Sequence, residues 1–235
     1  TPPIHSVHLT QVEDSPPRFE GSDEPKPVEQ AVMDLLHRSA RTAVFSENAL
    51  WTSLFGLLFR DVLFADVPGM LPGRHLHGPL DLGQAGFYER RRQLVDARLA
   101  DITNGCAHSI LRRTVEQHSG EAIVGVAWSF SVEDVLAPVC EAFGGTAIAG
   151  LLRHFIDDYD TAKSGLPDLC ILPGSSTVLP GDLSIPKGAL LVEIKGPTDA
   201  LRDNQRWWHY QLTSLGIPTE IWRVTDARRQ EFRRR

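Results

Sequence analysis

Cysteine is scarce in this chain, and long apolar runs are missing. The 235 residues include three cysteines, Cys106, Cys140 and Cys170, too widely spaced for a zinc knuckle and odd in number for a disulfide framework. A reducing, intracellular compartment is the simplest expectation: cytoplasmic in a bacterium, nuclear in a eukaryote. No apolar stretch is long enough to span a bilayer, and the opening TPPIHSVHL has no signal-peptide pattern. There is no P-loop, dinucleotide fingerprint or GxSxG elbow, so nucleotide-driven chemistry and serine hydrolysis find no support. Internal repeats are also absent.

What is present is ordinary globular material, 42% hydrophobic and 23% charged, with enough chain to bury a core. The net charge of −6 advertises no polyanion partner, but the distribution is uneven. Acidic residues gather between Glu13 and Glu29, whereas Arg202, Arg206, Arg223 and a run from Arg228 to Arg235 crowd the end. A solvated face with a basic tail and a polyanion-binding face both fit that pattern.

Residues 1–27, rich in Pro, Ser and acid without a sustained period, read as a linker or extension, and the missing initiator Met suggests preceding chain. Helical spacing begins with Val28, Val32, Leu35 and Leu36. It continues in SENALWTSLFGLLFRDVLF, apolar enough to be buried, with Ser46 as its expected N-cap. Further helices are expected near Phe87–Ile102, in ILRRTVEQH, after Ser131 and in TAIAGLLRHFIDDYD. The pattern changes after Gly165. DLCIL, ALLVEIK and TEIWRV read as strands, the last two joined by a helix with Gln205, Trp208, Leu212 and Leu215 on one stripe. That order predicts a crossover and a parallel pair. The Gly/Pro-rich segment from Pro173 to Gly188 reads as a long connection. A helical portion, 28–164, thus leads into a small α/β core, 165–235.

Asp168 stands at the mouth of one strand, and Glu193 and Lys195 interrupt another. Alternation puts Glu193 and Lys195 on one face, and antiparallel pairing would bring Asp168 to them. Two carboxylates that close repel unless a cation lies between them, and oxygen ligands favour Mg²⁺ or Mn²⁺. The Ile194 backbone carbonyl is a further candidate oxygen. Such a site suits phosphodiester hydrolysis, with Lys195 holding the water or balancing charge. The same residues also describe a strand-end salt bridge, and spacing alone does not favour the metal site over it.

GLPDL followed by LLVEIKGPTDALRDNQRWW resembles the VRR-NUC domain, a branch of the PD-(D/E)xK nucleases. ENALWTSLFGLLFRDVLF, PLDLG, ARLADI and GGTAIAGLLRHFIDDYDTAKSGLPDL extend the likeness, in order, to the C-terminal half of the Fanconi-anaemia-associated nuclease family over roughly residues 28–224. The resemblance implies a restriction-endonuclease-like α/β core with a small mixed sheet, preceded and flanked by several helices. It also implies 5′-flap endonuclease and 5′-to-3′ exonuclease activity on DNA in interstrand crosslink repair, dependent on Mg²⁺ or Mn²⁺. Asp168, Glu193 and Lys195 match the catalytic motif, Glu47 the additional acidic ligand, and Gln205 a glutamine near the metal. Without the resemblance Glu47 is simply an acid favouring a helix N-terminus.

Arg202, Arg206 and Trp207 are candidate DNA contacts, whereas Trp208 belongs to the core stripe. His75 and His77 lack the partners of a metal site and read as polar loop. A DNA-binding scaffold that does not cut, and a nuclease that acts on RNA or without flap preference, remain alternatives.

Overall fold

The computed structural model describes residues 2–14, 17–20, 24–71, 77–179, 183–197 and 199–226. The basic run from Arg228 to Arg235, and His75, lie outside the described residues. The first elements along the chain are β1 (Ile4–Leu9), β2 (Gln11–Asp14), β3 (Pro17–Phe19), α1 (Val28–Arg38) and β4 (Ala43–Phe45). Helices follow: α2 (Ala49–Leu58), α3 (Arg60–Leu63), α4 (Phe87–Thr103), α5 (Ala107–His118), a π-helical turn (Val132–Leu136) entering α6 (Ala137–Phe143), α7 (Gly145–Asp157) and α8 (Tyr159–Ala162). The chain ends in β5 (Leu169–Ile171), β6 (Thr177–Leu179), β7 (Leu183–Ile185), β8 (Leu190–Lys195), α9 (Asp203–Ser214) and β9 (Thr219–Asp226). Two compact units result, one from residues Thr1–Ser46 and Leu166–Arg235, the other from Glu47–Gly165.

The first unit is built on a five-stranded mixed sheet in the order β1-β9-β8-β5-β4. β8 and β9 run parallel, as a strand, crossover helix, strand order requires, and β5 lies antiparallel to β8. Side-chain alternation divides the sheet into two faces. Leu190, Val192, Ile194, Trp222 and Val224 join the α1 stripe of Val32, Leu35 and Leu36 in one apolar core. The opposite face carries Glu193 and Lys195, and the buried side of α9 supplies Gln205, Trp208, His209 and Leu212. A sheet with one oily face and one face bearing charge has an obvious place for chemistry.

Three expectations from the sequence require correction. Residues 1–27 are not a linker throughout: β1 pairs in parallel with β9 from Ile4–Ile221 to Leu9–Asp226, and Val7 and Leu9 enter the core. Proline and acid are frequent in this stretch of sequence, with Glu13 and Asp14 inside β2, and they hid a short edge strand whose partner lies more than 200 residues away. The boundary at residue 28 fails too, because α1 and β4 belong with the sheet unit. Ser46 is not the N-cap of the next helix, which starts at Ala49 behind Asn48. The Ser46 hydroxyl donates instead to the Pro167 carbonyl at 2.7 Å. The long 173–188 connection contains the β6–β7 hairpin.

The second unit is helical. α2 is buried from Leu50 to Leu58, as its lack of polar surface requires, and Phe55 stacks on Phe59 and Phe155 at 5.3 and 5.5 Å. After the π-helical turn, capped by the Ser131 hydroxyl, α6 ends at Gly144, whose φ of 82° suits glycine. At Gly145 a Cβ would meet the Ile102 carbonyl oxygen at 2.2 Å, so α7 crosses the end of α4 closely because the side chain is missing. Gly145→Ala is therefore expected to cost about 2 kcal/mol or more of stability. Equal denaturation midpoints for parent and variant would contradict that.

No single helix among the described residues is long and apolar enough to cross a membrane. All three cysteines are free, and burial pushes the Cys140 and Cys170 thiols up to about 12, far from reactive.

Candidate active site

β5 and β8 pair with Leu169 opposite Val192, so one step back along the register sets Asp168 against Glu193. The strand mouth is fastened from both sides. Ser46 donates its backbone N–H to the Asp168 carbonyl at 2.8 Å, and the Asp168 Oδ2 accepts the Ile194 N–H at 2.7 Å. In a regular strand a residue's N–H and C=O leave the same edge, so the Ile194 carbonyl also looks toward Asp168. The aspartate is half-buried, at the border of core and solvent.

Glu193 and Lys195 are almost fully removed from water, at 1% and 7% exposure. Such charges are tolerable only when paired and hydrogen-bonded. Lys195 Nζ lies 2.7 Å from Glu193 Oε1 and donates to Gln205 Oε1 at 3.0 Å. Gln205 Nε2 donates to the same Glu193 oxygen at 2.5 Å, while its Oε1 also accepts the Arg202 backbone N–H. One glutamine from the first turn of α9 thereby fixes acid, base and helix start together. Glutamine is suited to this because a single amide offers both a donor and an acceptor.

His209, one turn beyond Gln205, was not singled out by sequence reading, though its i+4 spacing was a usable signal. Its Nδ1 lies 2.8 Å from Thr219 Oγ1. Burial, assisted by the charge of Lys195, pulls its pKa down to about 4. The unfolded chain therefore binds this proton first, and stability should fall as pH drops from about 6.5 to 4, levelling off below. The contribution is about 3 kcal/mol. Denaturant titrations at pH 7 and 4.5 should show a smaller acid loss in His209→Gln than in the parent, and parallel losses would contradict the argument.

Arg202 and Arg206 are exposed at the start of α9, with Arg206 reaching Asp203 at 3.1 Å. Trp207 is half-buried and meets Trp208 edge-on at 4.8 Å, while Trp208 is fully buried, as its stripe requires. Glu47 opens the helical unit, exposed, one residue after Ser46. His77 is exposed.

Among the described residues no three His, Cys, Asp or Glu side chains gather as a complete metal cage. A hard, hydrated ion needs no such cage. Mg²⁺ keeps several waters and binds through one or two carboxylates plus substrate phosphate, and the Asp168–Glu193 pair with a strand carbonyl fits that mode.

A small mixed sheet flanked by helices, with an acid at one strand mouth and an acid–lysine pair on the next, defines a restriction-endonuclease-like core. Residues 102–226 match the family model described as the VRR-NUC domain. The chain belongs to the VRR-NUC family, a nuclease class that goes with a divalent metal. It is 38% identical over 185 residues to the Fanconi-associated nuclease 1 homolog of Arabidopsis thaliana, covering 78% of this chain and 20% of the relative. Against the homolog of Pseudomonas aeruginosa it is 28% identical over 207 residues, covering 86% of this chain and 35% of that one. It is also similar to the crystal structure of paFAN1 bound to 2nt 5′ flap DNA with gap. There the TM-score is 0.78 at 26% identity, over 95% of this chain and 37% of the other. The chain thus spans about a fifth to a third of the relatives' length.

Proposed function

We propose that this chain is the catalytic portion of a metal-dependent, structure-specific DNA nuclease, a 5′-flap endonuclease with 5′-to-3′ exonuclease activity in interstrand crosslink repair. The observation that carries the reading is the opposition of Asp168 to Glu193 on paired strands, with Lys195 bonded beside them. The likeness to a flap-bound structure supports the substrate. Its working place is then inside the cell, with the DNA.

Asp168, Glu193 and the Ile194 carbonyl would hold Mg²⁺ or Mn²⁺, and Glu47 enters as a further ligand from the family resemblance. When bound, such an ion would supply Lewis acidity at the phosphoryl group and lower the pKa of water. The protein's own part is positioning. The Asp168 bond to Ile194 and the Gln205 bonds to Glu193 and Lys195 fix the carboxylates and ammonium before substrate arrives. Lys195 orients the attacking water and donates toward charge growing on the phosphoryl oxygens. Gln205 is a positioning residue, acting through Glu193 and Lys195. Arg202, Arg206 and Trp207 offer phosphate and stacking contacts at the start of α9.

Cleavage of an end-labelled 5′-flap DNA should be compared with that of plain duplex and RNA, in Mg²⁺ and in Mn²⁺. Preferential cutting of the flap is expected. Equal cutting of all three would replace the reading with an unselective nuclease, and binding without cutting would replace it with a scaffold.

A further inference from the structure

A polar cavity of ≈ 400 Å³ lies in the helical unit, lined by Arg60 and Asp61 of α3 and by Arg113, Thr114, Gln117 and His118 of α5. None of these residues belongs to the catalytic set. The four from α5 lie side by side along it, since Arg113 and Gln117, Thr114 and Gln117, and Thr114 and His118 are three or four residues apart.

The cavity is preorganised. The Arg60 guanidinium is held over the Phe64 ring, 4.8 Å from its centroid, and donates to Glu121 at 2.9 Å. Its Nε is buried without a hydrogen-bond partner among the described residues. Thr114 is buried, yet its hydroxyl makes no hydrogen bond to another described residue. Arg113 is exposed and forms no ion pair with another described residue.

Charge decides what such a pocket takes. Asp61 is matched by Arg98 at 2.6 Å. Glu121 takes His118 and Arg60, whose bonds hold its carboxyl below the ordinary range. Among the described residues the acids at the rim already have partners, and Arg113 does not. The carbonyl end of α5 opposes an anion with about half a charge, less than the full charge of Arg113. A phosphodiester has one negative charge and no donor of its own. It can therefore use the Arg113 and Arg60 N–H groups, the Gln117 amide and the Thr114 hydroxyl together.

We propose that this cavity is a phosphate-binding site through which the helical unit grips the DNA backbone, an inference that rests on the nuclease reading for its substrate. Free phosphate shares the chemistry and has to be told apart. In an Asp168→Asn background, where cleavage is expected to be slow, and with Mg²⁺ and Mn²⁺ withheld, Arg113→Gln with Thr114→Val should weaken flap-DNA binding about fivefold at 50 mM salt. The slope of log affinity against log salt should fall by about 0.9, one phosphate's worth. Arg113→Lys, keeping the charge, should restore most of that slope, and thermal melting confirms that each variant folds. Inorganic phosphate, titrated into labelled protein, should shift the Thr114 and Gln117 amide resonances.

Unchanged affinity and slope in the double variant would overturn the proposal. Shifts with inorganic phosphate but no change in DNA binding would overturn the DNA assignment in favour of a free-phosphate site. Cleavage by the parent chain is read separately. Weakened binding in the variant alongside an inactive parent would sink the nuclease reading and leave the phosphate grip standing.

Discussion

Asp168→Asn and Glu193→Gln are each expected to slow phosphodiester cleavage by about 10³-fold or more, the scale of losing several kcal/mol of transition-state stabilisation. The two replacements are not equally clean. An asparagine in place of Asp168 retains an oxygen able to accept the Ile194 N–H, so the strand mouth stays fastened while a negative charge disappears. A glutamine in place of Glu193 removes the counter-charge of an ammonium only 7% exposed, and stability should fall by about 3 kcal/mol along with activity. Single-turnover rates, with denaturation curves on the same preparations, separate the two effects. A rate within tenfold of the parent in folded Asp168→Asn would remove that residue from the chemistry.

The largest expected loss of stability outside the catalytic set is at Arg41. Its guanidinium, 2% exposed, donates to the carbonyls of Ser175, Pro186 and Leu172 at 2.6, 2.9 and 2.8 Å. These carbonyls flank the β6–β7 hairpin, so one arginine ties both its ends to β5. The bonds keep a buried cation in place although burial alone lowers its pKa. Arg41→Met would fill much of the space and leave three acceptors short of a donor, at about 1 kcal/mol or more apiece. About 3–4 kcal/mol in total is expected, with the loss seen first as hydrogen exchange in the hairpin. A variant as stable as the parent would show that water satisfies those carbonyls.

Arg41 also shows where sequence reading stops. Its acceptors are main-chain oxygens, which have no residue letter, so nothing in the sequence marked it. β1 was missed for a related reason: its partner is at the far end of the chain, and its local pattern is that of a weak edge strand. Asp168, Glu193 and Lys195 were legible because polar letters stand out in buried strands, and a period of two specifies their face. Gln205 was named as a site residue only through the family resemblance. His209 could have been placed by its i+4 spacing from Gln205, but its partner Thr219, on another element, could not. The domain boundary was misplaced because α1 is helical in pattern but packs on the sheet, and packing is a tertiary fact.

The central claim is that Asp168 and Glu193 form a metal centre, and that Glu193 is more than the partner of Lys195 in a structural ion pair. Mn²⁺ binding to the purified chain, followed by calorimetry and by the Mn²⁺ paramagnetic resonance signal, tests it without any DNA. The account predicts saturable binding by the parent that is lost or weakened at least tenfold in Asp168→Asn. Equal binding by both chains would contradict it.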